Sequence, residues 1–134
     1  MPKVLFLDDE PALLMAIARV LRNEPYEVVT TTSWEDAMRA INKGDIDVVV
    51  SDERMPSMSG GEFLMRVRKA MPKVIRIMLT GESSLAVAAH IIEKGALYQF
   101  LSKPTDNAEL RRIIAQGLRL RDSERLRIGQ PAVP

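Results

Sequence analysis

The segment Ile46-Asp47-Val48-Val49-Val50-Ser51-Asp52 constrains this chain more than any other. A run of β-branched apolar residues leads directly into a carboxylate, which is the pattern of a strand buried on both faces of a parallel sheet. Ligands of open α/β sheets bind beyond the carboxyl ends of the strands, so Asp52 falls at the functional edge. A second run, Val4-Leu5-Phe6-Leu7, ends the same way in Asp8-Asp9. Three carboxylates delivered to one rim repel one another unless a cation sits among them.

The chain has the size of one domain, 134 residues, and at 46% apolar residues it can bury a substantial core. Its net charge of +1 makes no case for a nucleic-acid or membrane partner. The absence of cysteine excludes disulfides and cysteine-ligated metals and is compatible with a cytoplasmic address. There is no charged-then-apolar leader and no apolar run near the ~20 residues of a membrane helix. A soluble cytoplasmic protein is expected.

Strand and helix patterns alternate along the chain. Pro11 stands where a first-turn proline is tolerated, and Leu14, Ile17, Ala18 and Leu21 follow at helical spacing up to Pro25. Tyr26 to Thr31 is β-rich. Ser33 is a candidate N-cap for a helix through Ala37, Ala40 and Ile41, closed by Gly44. The Asp52 strand follows, then a loop, Glu53 to Gly61, too rich in Pro, Gly and Ser for regular structure. Phe63, Leu64 and Val67 mark a third helix. Val74 to Leu79 is a strand ending at Thr80-Gly81, and Leu85, Ala88, Ile91 and Ile92 mark a fourth helix. Leu97 to Leu101 is a short strand reaching Ser102-Lys103-Pro104. The last helix starts near Asp106 with Leu110, Ile113, Ile114 and Gly117 on its inner face. Five strands alternating with five helices predict a doubly wound α/β sheet. That last helix runs on through Arg119, Arg121, Asp122, Glu124, Arg125 and Arg127, either as a solvated helix end or as a linker to an output domain or dimer partner. The tail from Gly129 to Pro134 is expected to be disordered.

Asp8, Asp9, Asp52, Thr80 and Lys103 all fall at strand carboxyl ends. Together they form a chemically complete set for accepting a phosphoryl group on a carboxylate. A hard cation, Mg²⁺, would be held by carboxylates and would neutralise both the acidic rim and the transferred group. Lys103 offers a compact positive charge and Thr80 a hydroxyl donor. Each residue alone has an ordinary reading: Asp52 as a loop cap, Thr80 as turn chemistry, Lys103 as a solvated lysine, Asp8-Asp9-Glu10 as helix-start charge. Their arrival on one rim in one order favours the chemical reading.

The segments Val4-Leu5-Phe6-Leu7-Asp8-Asp9-Glu10, Ser51-Asp52-Glu53-Arg54-Met55-Pro56 with Gly60, Leu79-Thr80-Gly81, and Phe100-Leu101-Ser102-Lys103-Pro104 resemble the receiver domain of bacterial two-component response regulators. The resemblance covers residues 3–122 and leaves 123–134 as a helical extension and tail. It implies a flavodoxin-like five-stranded parallel sheet in the order 2-1-3-4-5, and phosphorylation by a sensor histidine kinase. Carried over residue by residue, Asp52 is the phosphoacceptor and Asp9 a direct Mg²⁺ ligand. Asp8 acts directly or through water, and the backbone carbonyl of Arg54 completes the protein ligands. Thr80 and Lys103 become the switch pair, Phe100 the aromatic that follows Thr80, and the Lys103-Pro104 peptide is expected to be cis. The signal would leave through the face made by the fourth helix, fifth strand and fifth helix, toward an output domain, a downstream protein or a second copy of the chain. The domain would be regulatory, with no enzymatic activity beyond its own phosphoryl transfer and dephosphorylation.

Several positions depart from the common pattern. Ser59 stands where many receivers have aspartate and can still cap the third helix. Phe100 lacks the hydroxyl of a tyrosine, and core packing is its ordinary role. Arg54 and Glu82 flank the pocket and could pair to shield the acyl phosphate. His90 reads as a surface or boundary residue, and the eight methionines as core filler. A haloacid-dehalogenase-like phosphatase also uses Asp, Thr, Lys and Mg²⁺, but its nucleophile comes on the first strand, whereas here the acidic pair comes first. The other alternative is a degenerate receiver that binds partners without phosphorylation.

Overall fold

The computed structural model describes residues 1–81, 89, 98–103 and 106–129. In chain order these form β1 (Lys3–Leu7), α1 (Pro11–Val20), β2 (Glu27–Thr31), α2 (Trp34–Asn42), β3 (Val48–Asp52), α3 (Gly60–Ala70), β4 (Ile75–Thr80), β5 (Gln99–Ser102) and α4 (Asn107–Gly129). The five strands make one parallel sheet in the order β2-β1-β3-β4-β5, as expected. The predicted helix around Leu85–Ile92 lies outside the described residues except for Ala89, which is helical. Glu82, His90 and the peptide to Pro104 lie outside them as well. No helix among the described residues is long and apolar enough to cross a membrane.

Side chains alternate across a strand, so each central strand feeds two cores. Leu5, Leu7, Val49 and Met78 pack with Ala37, Ile41, Phe63, Leu64 and Val67 beneath α2 and α3. Val4, Phe6, Val48, Val50, Ile75, Ile77 and Leu79 pack on the other face with Leu14, Ile17, Leu110, Ile113 and Ile114 from α1 and α4. All five residues of β3 are buried, which is why that run carries no polar alternation.

Local signals set most of the helix ends. Pro11 opens α1, and Ser33 caps α2 by accepting the Asp36 N–H at 3.2 Å. Ser59 caps α3 in the same way, accepting the Glu62 N–H at 3.1 Å. Helix α1 stops at Val20 rather than running to Pro25. Its end tightens into i to i−3 bonds, Arg22 N–H to Arg19 C=O and Glu24 N–H to Leu21 C=O, because the residue before a proline is disfavoured in helical geometry. That turn carries Leu21 and Tyr26 into the core. Likewise β3 begins at Val48; Ile46 and Asp47 are buried ahead of the paired strand.

Gly60 opens α3 where the helix crosses the end of β3, and its N–H donates to the Glu53 carbonyl at 2.8 Å. A Cβ here would fall on the Asp52 carbonyl oxygen and within 2.9 Å of the Glu53 Cα. Both neighbours are backbone, so neither can turn aside. Gly60→Ala is therefore expected to lower the urea midpoint by the equivalent of about 3 kcal/mol, a cost of overpacking against an immovable wall. An unchanged midpoint would show that α3 can slide away from Asp52.

Candidate functional site

The carboxyl ends of β1, β3, β4 and β5 bring five of the expected residues to one rim. Asp8 directly follows β1 and is buried, while Asp9 and Glu10 are exposed beside it. Asp52 is the last residue of β3 and is also buried. Thr80 ends β4, fully buried, and its hydroxyl donates to the Gly81 carbonyl at 3.0 Å. Lys103 follows β5, and its backbone N–H donates to the Thr80 carbonyl at 2.8 Å, which ties the two strand ends together.

Lys103 is the centre of the rim. Its Nζ lies 2.7 Å from Asp52 Oδ1 and 3.4 Å from Asp8 Oδ2. The ammonium thus bridges carboxylates that would otherwise repel across the gap between β1 and β3. Burial pulls the Lys103 ammonium down, but the hydrogen bond and charge of Asp52, with Asp8 behind them, outweigh it and leave the group above its ordinary value. Asp8 moves upward because burial disfavours its charge; the Glu10 N–H, donating to Oδ1 at 2.9 Å, opposes this in part. The Asp52 charge adds to the rise, and Lys103, sitting closer to Asp52, does not cancel it.

The carboxylate oxygens of Asp8, Asp9 and Glu10 lie within 4.8 Å of one another. Glu10 therefore joins the acidic cluster, although the sequence reading gave it no site role of its own. Asp52 stands outside that trio with its carboxylate turned to Lys103. A cavity of about 350 Å³ opens over the rim, bounded by Asp9, Glu10, Asp52, Glu53, Arg54, Gly81 and Lys103. Glu53, a half-buried carboxylate, is a lining residue that sequence reasoning passed over; its only signal was adjacency to Asp52. The Arg54 side chain is exposed, with Nε 3.5 Å from Glu53 Oε2, and the Glu82 expected to pair with it lies outside the described residues. Phe100 is half-buried and packs against the core beneath α2 and α3, paired in register with Met78.

A family model described as the response regulator receiver domain matches residues 4–115. The chain is 34% identical over 115 residues to the transcriptional regulatory protein GlrR of Escherichia coli (strain K12), a match covering 86% of this chain and 26% of that protein. It is 33% identical over 115 residues to the DNA-binding transcriptional regulator NtrC of Rhizobium meliloti (strain 1021), with 86% and 24% covered. The chain thus spans about a quarter of the length of these curated relatives. Among solved structures, the signal receiver domain of an HD domain-containing protein from Pseudomonas fluorescens Pf-5 superposes with a TM-score of 0.87 at 32% identity, covering 94% and 93% of the two chains.

The raised Asp8 carboxyl carries a stability consequence. The folded state holds the proton more tightly than the unfolded chain, so Asp8 costs stability once the pH has risen from 3.8 past the folded value. Asp8→Asn keeps an acceptor for the Glu10 N–H and removes that charge. Without divalent cations at pH 7 it is expected to melt higher, by roughly 3 °C for each kcal/mol relieved in a domain of this size. At pH 3 the two proteins should melt together. A lower melting temperature at pH 7 would mean that the contact to Lys103 outweighs burial.

Proposed function

This chain belongs to the response regulator receiver family, and from that premise we propose that Asp52 accepts a phosphoryl group from a sensor histidine kinase in the cytoplasm, with Mg²⁺ as cofactor. The observation that carries this reading is Lys103 Nζ lying 2.7 Å from Asp52 Oδ1 and 3.4 Å from Asp8 Oδ2. A lysine so placed orients the acceptor and waits beside the position of the incoming phosphoryl oxygens.

The donor set fits a hard cation: it is made of carboxylate oxygens converging from Asp8, Asp9 and Glu10, with Asp52 and Arg54 bordering the adjoining cavity. Asp8, Asp9, Asp52 and the backbone carbonyl of Arg54 would hold Mg²⁺, which when bound supplies positive charge to the rim and to the transferred group. A carboxylate oxygen of Asp52 attacks phosphorus. The P–N bond of the donor phosphohistidine breaks, its electron pair stays with the imidazole, and Asp52 becomes an acyl phosphate. Lys103 follows the new charge by pairing with a phosphoryl oxygen. Thr80 turns its hydroxyl from the Gly81 carbonyl to the phosphoryl group, and Phe100 moves into the space beside it. Both side chains lie on or next to β4 and β5, so the change reaches the surface of β5 and α4 and shifts a two-state equilibrium there. An output domain, a downstream protein or a second copy of the chain would read that surface.

Intact mass after incubation with Mg²⁺ and acetyl phosphate tests the chemistry. One phosphoryl group is expected on the unmodified chain, none on Asp52→Asn, and hydroxylamine should release it. A gain that persists in Asp52→Asn would move the acceptor elsewhere. No gain, with no Mg²⁺ binding, would leave a phosphorylation-independent binding module as the better reading.

A further inference from the structure

We propose that Asp47 and Arg121 form a clasp that fastens the end of α4 to the base of the sheet, so that residues 122–129 leave the domain as a rigid continuation of it. The clasp stands at the opposite end of the strands from Asp52 and does not depend on phosphorylation. Only its use in signalling rests on the proposed function.

Helix α4 is 23 residues long, roughly 34 Å, against about 17 Å for a five-residue strand. Its apolar contacts therefore run out early. Leu110, Ile113 and Ile114 are buried, and Gly117 lies against Val48 and Ile75, the first residues of β3 and β4. Past that point Leu118 and Leu120 are only partly buried against the core.

Arg121 comes one turn later and turns back. Its side chain is 12% exposed, with Nε 3.6 Å from Asp47 Oδ1 and Nη1 donating to the Lys73 carbonyl at 3.1 Å. Asp47 is already fixed before Arg121 arrives. Its Oδ2 accepts the Lys3 N–H at 2.9 Å, its own N–H donates to the Lys3 carbonyl at 2.9 Å, and its carbonyl accepts the Ile75 N–H at 3.0 Å. One buried aspartate, through its carboxylate and its backbone, thus joins the bases of β1, β3 and β4 to α4. A charge pair held away from water is weakly screened, and loss of one partner strands the other.

Arg121 Nε is buried with no hydrogen-bond partner among the described residues, so the closed arrangement keeps one donor unsatisfied. Beside it lies a cleft of about 270 Å³ bordered by Ile46, Met71, Pro72, Val74 and Arg121. An open clasp would leave residues 122–129 helical only by their own propensity, which is marginal for so short a stretch.

Hydrogen exchange by mass spectrometry on the unphosphorylated full chain tests this. In Arg121→Ala and in Asp47→Asn, amides of residues 122–129 are expected to exchange roughly tenfold faster, with the sheet and residues 107–114 unchanged. The double variant should be no faster than either single one, because both break the same contact. Unprotected amides at 122–129 in the unmodified chain, unchanged protection in the variants, or acceleration spread evenly through the sheet would each overturn the clasp. Should Asp47→Asn not fold, Arg121→Ala decides alone, its urea midpoint reporting that the fold is intact. Acetyl phosphate loading of Asp52 should be the same in Arg121→Ala and the unmodified chain, which separates failure of the clasp from failure of the phosphoacceptor reading.

Discussion

The acidic rim exists because one lysine holds it together. Asp8 and Asp52 end neighbouring strands and are both buried, an arrangement that would be driven apart without a positive charge between them. Lys103 reaches both carboxylates from β5, two strands away from β3 in the sheet, so the rim is compensated only when the whole sheet is assembled. The compensation is incomplete. Asp8 remains harder to ionise than an ordinary aspartate, and an exposed acidic pair, Asp9 and Glu10, adds to the negative field. A site with that residual charge is suited to a hard cation and to a chemistry in which charge arrives and leaves.

Strand architecture supplies the precision such a site needs. β3 is buried along its whole length, which leaves Asp52 little freedom, and Gly60 lets α3 press directly on its backbone. Thr80 and Lys103 are joined through a backbone hydrogen bond, so a movement of one is felt at the other. Rigid elements thus fix Asp52, while Thr80 and Lys103 stand at the ends of the two strands nearer the sheet edge.

The two ends of the sheet perform different tasks with the same kind of interaction. At the carboxyl end, a lysine bridges Asp8 and Asp52 beside an open cavity. At the base, an arginine and an aspartate join strands to a helix that outruns the sheet. The planar guanidinium meets the Asp47 carboxylate through Nε and the Lys73 carbonyl through Nη1, so the two contacts come from different nitrogens of one rigid fork.

Alternation of apolar runs and helical spacing, read without any structure, was enough to lay out strands and helices in alternation; their order in the sheet came from the resemblance to receiver domains. Ser33, Ser59 and Pro11 marked helix starts because capping is a contact between residues three apart. The rim residues Asp8, Asp9, Asp52, Thr80 and Lys103 were legible for a related reason: each stands at or just past the end of an apolar run, and parallel strands all end on one side. Tertiary structure alone decided the rest. Nothing local distinguishes Glu10 from a helix-start charge, Glu53 from a loop residue, or Gly60 from any loop glycine until α3 is laid against Asp52. Arg121 looked like one more cation on a solvated helix end, yet it is paired with an aspartate 74 positions earlier in the chain, the separation between 47 and 121. Periodicity and capping are short-range and survive in the sequence as pattern; a charge pair between the base of a strand and the end of a distant helix leaves none, because the chain must fold before the two groups share a dielectric.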